Sequence, residues 1–141
     1  MRFMVIVKAN AESEAGVLPT TEQLTKMGKY NEELAKAGML LSAEGLQASS
    51  EGARVKVSGT KRTVIDGPFT ETKELIAGFW IIQAGSKEEA IEWVKRVPNV
   101  WHEDTEIEIR RVFEAEDFGP ALTPELSARE AALRAQSPGA R

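Results

Sequence analysis

Ala77-Gly78-Phe79-Trp80-Ile81-Ile82-Gln83-Ala84 runs directly into Gly85-Ser86-Lys87-Glu88-Glu89-Ala90-Ile91-Glu92-Trp93-Val94-Lys95-Arg96-Val97-Pro98, and the two halves of this stretch decide the fold. The first half gathers Phe79, Trp80, Ile81 and Ile82 into one run. It is too short for a free-standing helix and rich in β-formers, which predicts a buried central strand. Gly78 beside Trp80 predicts close packing at that point. In the second half Ser86 and Glu89 form a capping box, and Ala90, Ile91, Val94 and Val97 supply an apolar stripe. Lys95 and Arg96 suit the negative end of the helix dipole, and Pro98 stops the helix.

Working outward, Glu106 to Phe113 alternates Ile107 and Ile109 with Glu108 and Arg110, as a closing strand does. Upstream, Val55 and Val57 alternate with Arg54, Lys56 and Ser58. A turn at Ser58-Gly59-Thr60-Lys61 then leads to Thr63-Val64-Ile65, so residues 54–66 read as a hairpin with one wet face. At the N-terminus, Phe3 to Val7 is apolar on both faces and reads as a first strand. Thr20 and Gln23 form another capping box, followed by Leu24, Met27, Tyr30, Leu34 and Ala37 at helical spacing. Gly38 ends that helix, and Met39 to Ala43 reads as a strand. The order strand, helix, strand, hairpin, strand, helix, strand is an α+β, ferredoxin-like split β-α-β with an inserted β-hairpin. Two helices cover one face of such a sheet. The apolar residues on its other face predict a homodimer in which facing sheets enclose a cavity, a dimeric α/β barrel.

The 141 residues, 42% hydrophobic and 28% charged, fit one compact domain and exclude fibrous and disordered classes. A net charge of -4 argues against nucleic acid and anionic membranes as partners. With no cysteine and one histidine, thiolate chemistry is excluded and a histidine-based metal site is disfavoured. The N-terminal run lacks a cleavage site and falls short of a signal peptide or a membrane span, so the expected location is cytoplasmic. Composition shifts near Gly119: residues 119–141 contain no aromatic residue and carry three arginines against two glutamates. The expected division is therefore a folded domain at 1–118 and a C-terminal extension at 119–141. The extension reads as partly helical from Pro124 to Gln136, either frayed or laid across a second subunit.

Asp66-Gly67-Pro68-Phe69-Thr70-Glu71-Thr72-Lys73-Glu74 has two readings. In the first it is a turn followed by a solvated charged stretch, with Phe69 anchoring the loop in the core. In the second, Asp66 or Glu71 is a proton acceptor at the mouth of a cavity, with Lys73 as its electrostatic partner and Lys73 or Arg110 stabilising a developing oxyanion. His102 reads as a loop histidine, or as a proton-transfer group because of its near-neutral pKa. Tyr30 reads equally as a core phenol or a pocket-lining one, and Trp80, Trp93 and Trp101 as packing residues. Phosphate-cradling glycine loops and the serine nucleophile elbow are absent, so no cofactor is expected.

The 66–74 segment followed by Ile76-Ala77-Gly78-Phe79 resembles the signature of the DGPF-type branch of the YCII-related proteins. Tyr30 to Gly38, Glu44-Gly45-Leu46 and Ile107 to Arg110 fit the same pattern, over about residues 1–114. The resemblance implies a dimeric α/β barrel in a family whose activity is mostly unassigned. Some relatives are lyases that remove halide from chlorinated rings with a His and an Asp. Those places correspond here to Tyr30 and Val97, so the dehalogenating activity is not carried over. The resemblance implies a small-molecule pocket between helix and sheet, with Asp66, Glu71 and Lys73 as candidate catalytic groups and Tyr30, Phe69, Trp80 and Arg110 as candidate ligand contacts. A cofactor-free lyase or isomerase is the alternative. Other members of the branch accompany sigma-factor-like regulators, which implies an accessory or sensing role.

Overall fold

The computed structural model describes residues 1–71 and 74–138. In chain order its elements are β1 (Arg2–Lys8), α1 (Ala11–Glu14), α2 (Thr21–Lys36), β2 (Leu40–Gly45), β3 (Ala53–Ser58), β4 (Lys61–Asp66), β5 (Ile76–Gln83), α3 (Lys87–Val94), β6 (Ile107–Arg111) and α4 (Pro124–Gln136). Four strands form an antiparallel sheet in the order β2-β5-β1-β6, while β3 and β4 form a separate two-stranded sheet. This is the ferredoxin-like arrangement expected from the element order, with the hairpin inserted between β2 and β5.

Register explains which side chains are inside. Phe3 pairs with Ile82, Val5 with Trp80 and Val7 with Gly78, and all six are buried. Residues directly opposite in an antiparallel pair share a face, so one face of the sheet presents this set to α2 and α3. Leu34 and Tyr30 of α2, Ala90 of α3, Met39 and Ala84 complete the core. Phe3, Val5, Leu34 and Ile82 are each 1% exposed, and burying side chains of this size stabilises by roughly 1.5–3 kcal/mol apiece. The opposite face carries Met4, Ile6, Phe79 and Ile81, all half-buried, flanked by the Lys8–Glu108 ion pair at 3.2 Å. The Lys8 and Arg110 donors hold the Glu108 carboxyl below its ordinary value.

Helices α2 and α3 begin where the sequence signals placed them. Thr20 Oγ1 accepts from Gln23 N at 3.2 Å and Gln23 Oε1 accepts from Thr20 N at 2.7 Å, while Ser86 Oγ accepts from Glu89 N at 3.1 Å. Regular helix in α3 ends at Val94, short of Pro98, and the chain continues in turns. Gly78 has a definite reason: a Cβ there would lie 2.8 Å from the Glu44 carbonyl oxygen of β2.

The hairpin departs from expectation. Every residue of β3 and β4 is exposed on both faces, including Val55, Val57 and Val64 at 59%, 64% and 66%. The alternation is real, but nothing among the described residues covers its apolar side. Only the root is fixed. Gly67 N donates to Gly52 O at 3.0 Å, Phe69 N donates to Ser49 Oγ at 2.9 Å, and the Arg54 guanidinium stacks 3.8 Å over the Phe69 ring. Ser49 also donates through its backbone N (2.8 Å) and its Oγ (2.5 Å) to the Glu14 carboxylate of α1, which lies below its ordinary pKa for that reason.

The chain divides into two compact units, Met1–Arg111 and Val112–Arg141; the composition, by contrast, changes near Gly119. Within the second unit Thr123 caps α4, no residue of α4 is buried, and Phe113 stacks on Phe118 with ring centroids 4.8 Å apart. No helix among the described residues is long and apolar enough to cross a membrane.

Candidate functional site

The apolar stripe of α2 is covered for only half its length. Leu34 and Tyr30 are buried, Met27 is half-buried and Leu24 is 59% exposed. The first half of the helix therefore stands clear of the sheet, and the gap beneath it is a cleft. One lobe, of about 300 Å³, lies between α2 and the ends of β2 and β5, with Val7, Asn31, Ala43, Gly78 and Trp80 among its walls. The other, of about 430 Å³, lies towards the loops and is lined by Asn10, Ser13, Pro19, Gln23, Val100 and His102 among others. Leu24, Met27 and Trp101 belong to both lobes, so they form one cleft with two compartments.

Several of its polar groups are fixed by hydrogen bonds. Trp80 Nε1 donates to Asn31 Oδ1 at 2.7 Å, which locks the indole and turns the Asn31 amide NH₂ into the remaining donor of that side chain. Tyr30 packs edge-on against Trp80, with ring centroids 5.7 Å apart, and its hydroxyl donates to the Trp93 carbonyl at 2.8 Å. Burial pushes the Tyr30 phenol up to about 12, against an opposing pull from Arg96 and with a smaller push from Glu33. Tyr30 is thus a neutral core group that holds Trp80 from behind. Gln23 Nε2 donates to the Val100 carbonyl at 2.7 Å and lies 3.3 Å from His102 Nε2. His102 itself is exposed and sits at φ +58°, a left-handed conformation that non-glycine residues adopt rarely.

The structure brings some of the residues singled out in the sequence to this cleft and leaves others elsewhere. Trp80 lines it and Tyr30 supports it. Phe69 is half-buried at the hairpin root under Arg54. Arg110 is exposed on the sheet face opposite the helices, where it pairs with Met4 across the strands and donates to Glu108 at 3.4 Å. Asp66 ends β4 and Glu71 lies in the following loop, both exposed and neither lining the cleft. Lys73 lies outside the described residues. No three His, Asp or Glu side chains among the described residues converge as metal ligands.

Asn31, Met27 and Gln23 were not legible as site residues. Gln23 gave only its capping signal, and Asn31 sits unremarkably within Tyr30-Asn31-Glu32-Glu33. A hollow of about 880 Å³ in the C-terminal unit is lined by Phe113, Glu114, Phe118, Leu122 and Arg134 among others.

Comparison with known proteins gives matches of three kinds. The model of the YCII-related domain matches residues 1–116. An uncharacterized protein of Rhizobium meliloti (strain 1021) is 34% identical over 64 residues, which are 45% of this chain and 52% of that protein. The chain therefore spans about half the length of this curated relative. Among solved structures, a 5-chloro-2-hydroxyhydroquinone dehydrochlorinase from Burkholderia phenoliruptrix, in complex with 2,5-dihydroxybenzoquinone, aligns with a TM-score of 0.43 at 16% identity, covering 81% of this chain and 95% of that one.

Proposed function

The chain belongs to the YCII-related family, and from that premise we propose that it is a homodimeric binding protein of the DGPF-type branch, taking one small, flat, largely apolar molecule in the cleft beside α2. The carrying observation is the Trp80–Asn31 pair. A rigid indole offers a surface for an aromatic ring, and an amide NH₂ beside it is set to donate to a carbonyl, phenolate or carboxylate oxygen of the ligand. Leu24, Met27 and Trp101 supply the apolar walls. The open face of the four-stranded sheet, with Met4, Ile6, Phe79 and Ile81 at its centre, is the surface on which the second copy packs.

Proton abstraction by Asp66 or Glu71 is not carried into this reading, because neither carboxylate lines the cleft.

The test is a titration of the full chain with substituted phenols and small aromatic acids, followed by tryptophan fluorescence and melting temperature. Binding is expected in the wild type, with affinity lower by roughly tenfold in Asn31→Ala, in keeping with the loss of one hydrogen bond to a charged or strongly polar group. A panel that moves neither signal overturns the reading.

A further inference from the structure

The hairpin β3–β4 has the pattern of a strand pair with something lying on it. Val55 faces Val64 across the ladder, and Val57 lies two residues from Val55 on the same side. The other side carries Arg54, Lys56, Lys61 and Ile65, while Arg62 and Asp66 flank Val64 on the valine side. Such alternation is what a half-covered sheet requires, yet all three valines are more than half exposed. The outer edges of both strands are also unpaired. An isolated two-stranded hairpin is marginally stable in water, and unpaired edges beside an apolar stripe invite association.

Charge identifies the occupant. Four cations and one carboxylate give residues 53–66 a net +3, whereas the whole chain carries -4, leaving -7 on the remainder. The complementary charge is thus on this same chain. Glu103, Asp104 and Glu106, all exposed, lead into the edge strand β6. A nucleic acid fits less well, because two of the four cations are already engaged. Arg54 stacks on Phe69, and Arg62 Nη1 donates to the Gly59 and Lys61 carbonyls of its own turn at 2.8 and 3.0 Å.

We infer that the hairpin is an arm whose Val55–Val57–Val64 face is covered by a second copy of this chain. This rests on the homodimer proposed above and adds to it a contact that the sheet face does not supply.

The chain contains no cysteine, so single thiols report burial without background. Two variants of the full chain are made, Val57→Cys on the arm and Ile81→Cys on the open sheet face. The reaction of each with a thiol reagent is followed as protein concentration rises, alongside sedimentation mass. Both rates are expected to fall on the order of tenfold or more as the mass doubles, because only the dimer protects them. Slowing at Val57→Cys alone also supports the arm and moves the rest of the contact off the sheet face. A Val57→Cys rate that stays constant while the mass doubles and Ile81→Cys slows overturns the arm and leaves the homodimer standing. A mass that stays at 15.5 kDa with both rates flat overturns both. A Val57→Cys thiol that slows only on adding duplex DNA overturns the second copy as the occupant.

Discussion

The four-stranded sheet and the hairpin share an alternating pattern and differ in what that pattern has gained. In β1 the alternation places Phe3, Val5 and Val7 under two helices, where Phe3 and Val5 are 1% exposed. In β3 it places Val55 and Val57 in the open, at 59% and 64%. Amphipathic alternation therefore states that a strand expects a cover, and says nothing about where the cover comes from. In β1 it comes from the next elements of the chain. In the hairpin no described part of the same unit supplies it.

That contrast can be broken most directly by truncating each side. Phe3→Ala is expected to destabilise the fold by about 3–5 kcal/mol, the range for removing a buried aromatic ring. Val55→Ala, measured at concentrations where the chain is monomeric, is expected to stay within about 0.5 kcal/mol. Urea denaturation of both variants checks the pair, and similar losses would mean that the hairpin already has a cover within the chain.

The next comparison separates the hairpin's root from its tip. An added Cβ at Gly67 would lie 1.8 Å from the Ser49 carbonyl oxygen, whereas one at Gly59, at φ +59°, meets nothing within 4 Å. Gly67→Ala is expected to cost at least the 1–3 kcal/mol, roughly, of an overpacked site. Gly59→Ala is expected to cost about 1–2 kcal/mol for a side chain in the left-handed region. Melting temperatures of the two variants test the order.

The smallest effects are titrations. Tyr30 is the sole tyrosine, so ultraviolet absorbance reads it alone, and ionisation is expected near pH 12. Its folded pKa is raised, so the stability linked to it is present below the ordinary tyrosine value and is lost as pH climbs from about 10 towards 12. Glu14, at the root, has the opposite sign. Its pKa is lowered by the Ser49 bonds, so its contribution is present above the ordinary carboxylate range and fades as pH falls through the folded value. Ser49→Ala is expected to move the Glu14 midpoint upward in an NMR titration. An unmoved midpoint would remove Ser49 as the cause.

Much of this fold was legible because its signals are local. Thr20 with Gln23 and Ser86 with Glu89 mark helix starts within four residues, and the Phe79 to Ile82 run marks the central strand. What was not legible depends on partners far along the chain. The four-residue α1 starts at a local Asn10–Ser13 capping box, but its tie to Ser49, 35 positions from Glu14, has no local signal. The Asp66-Gly67-Pro68-Phe69 segment could be read as a cavity mouth because its actual neighbours, Ser49 and Gly52, are set by tertiary contact. The cleft was hidden for a related reason. The α2 stripe runs evenly from Leu24 to Leu34, and only packing decides that its first half stays uncovered.

The approach of Gly67 to Ser49 has a genetic consequence. The obstacle to a side chain at Gly67 is a backbone carbonyl oxygen, an atom that every residue at position 49 would carry. No exchange of side chain at that neighbour can restore the space, so a defect caused by Gly67→Ala should yield no suppressor at position 49. Compensating changes should come instead from insertions or deletions that re-route residues 48–52.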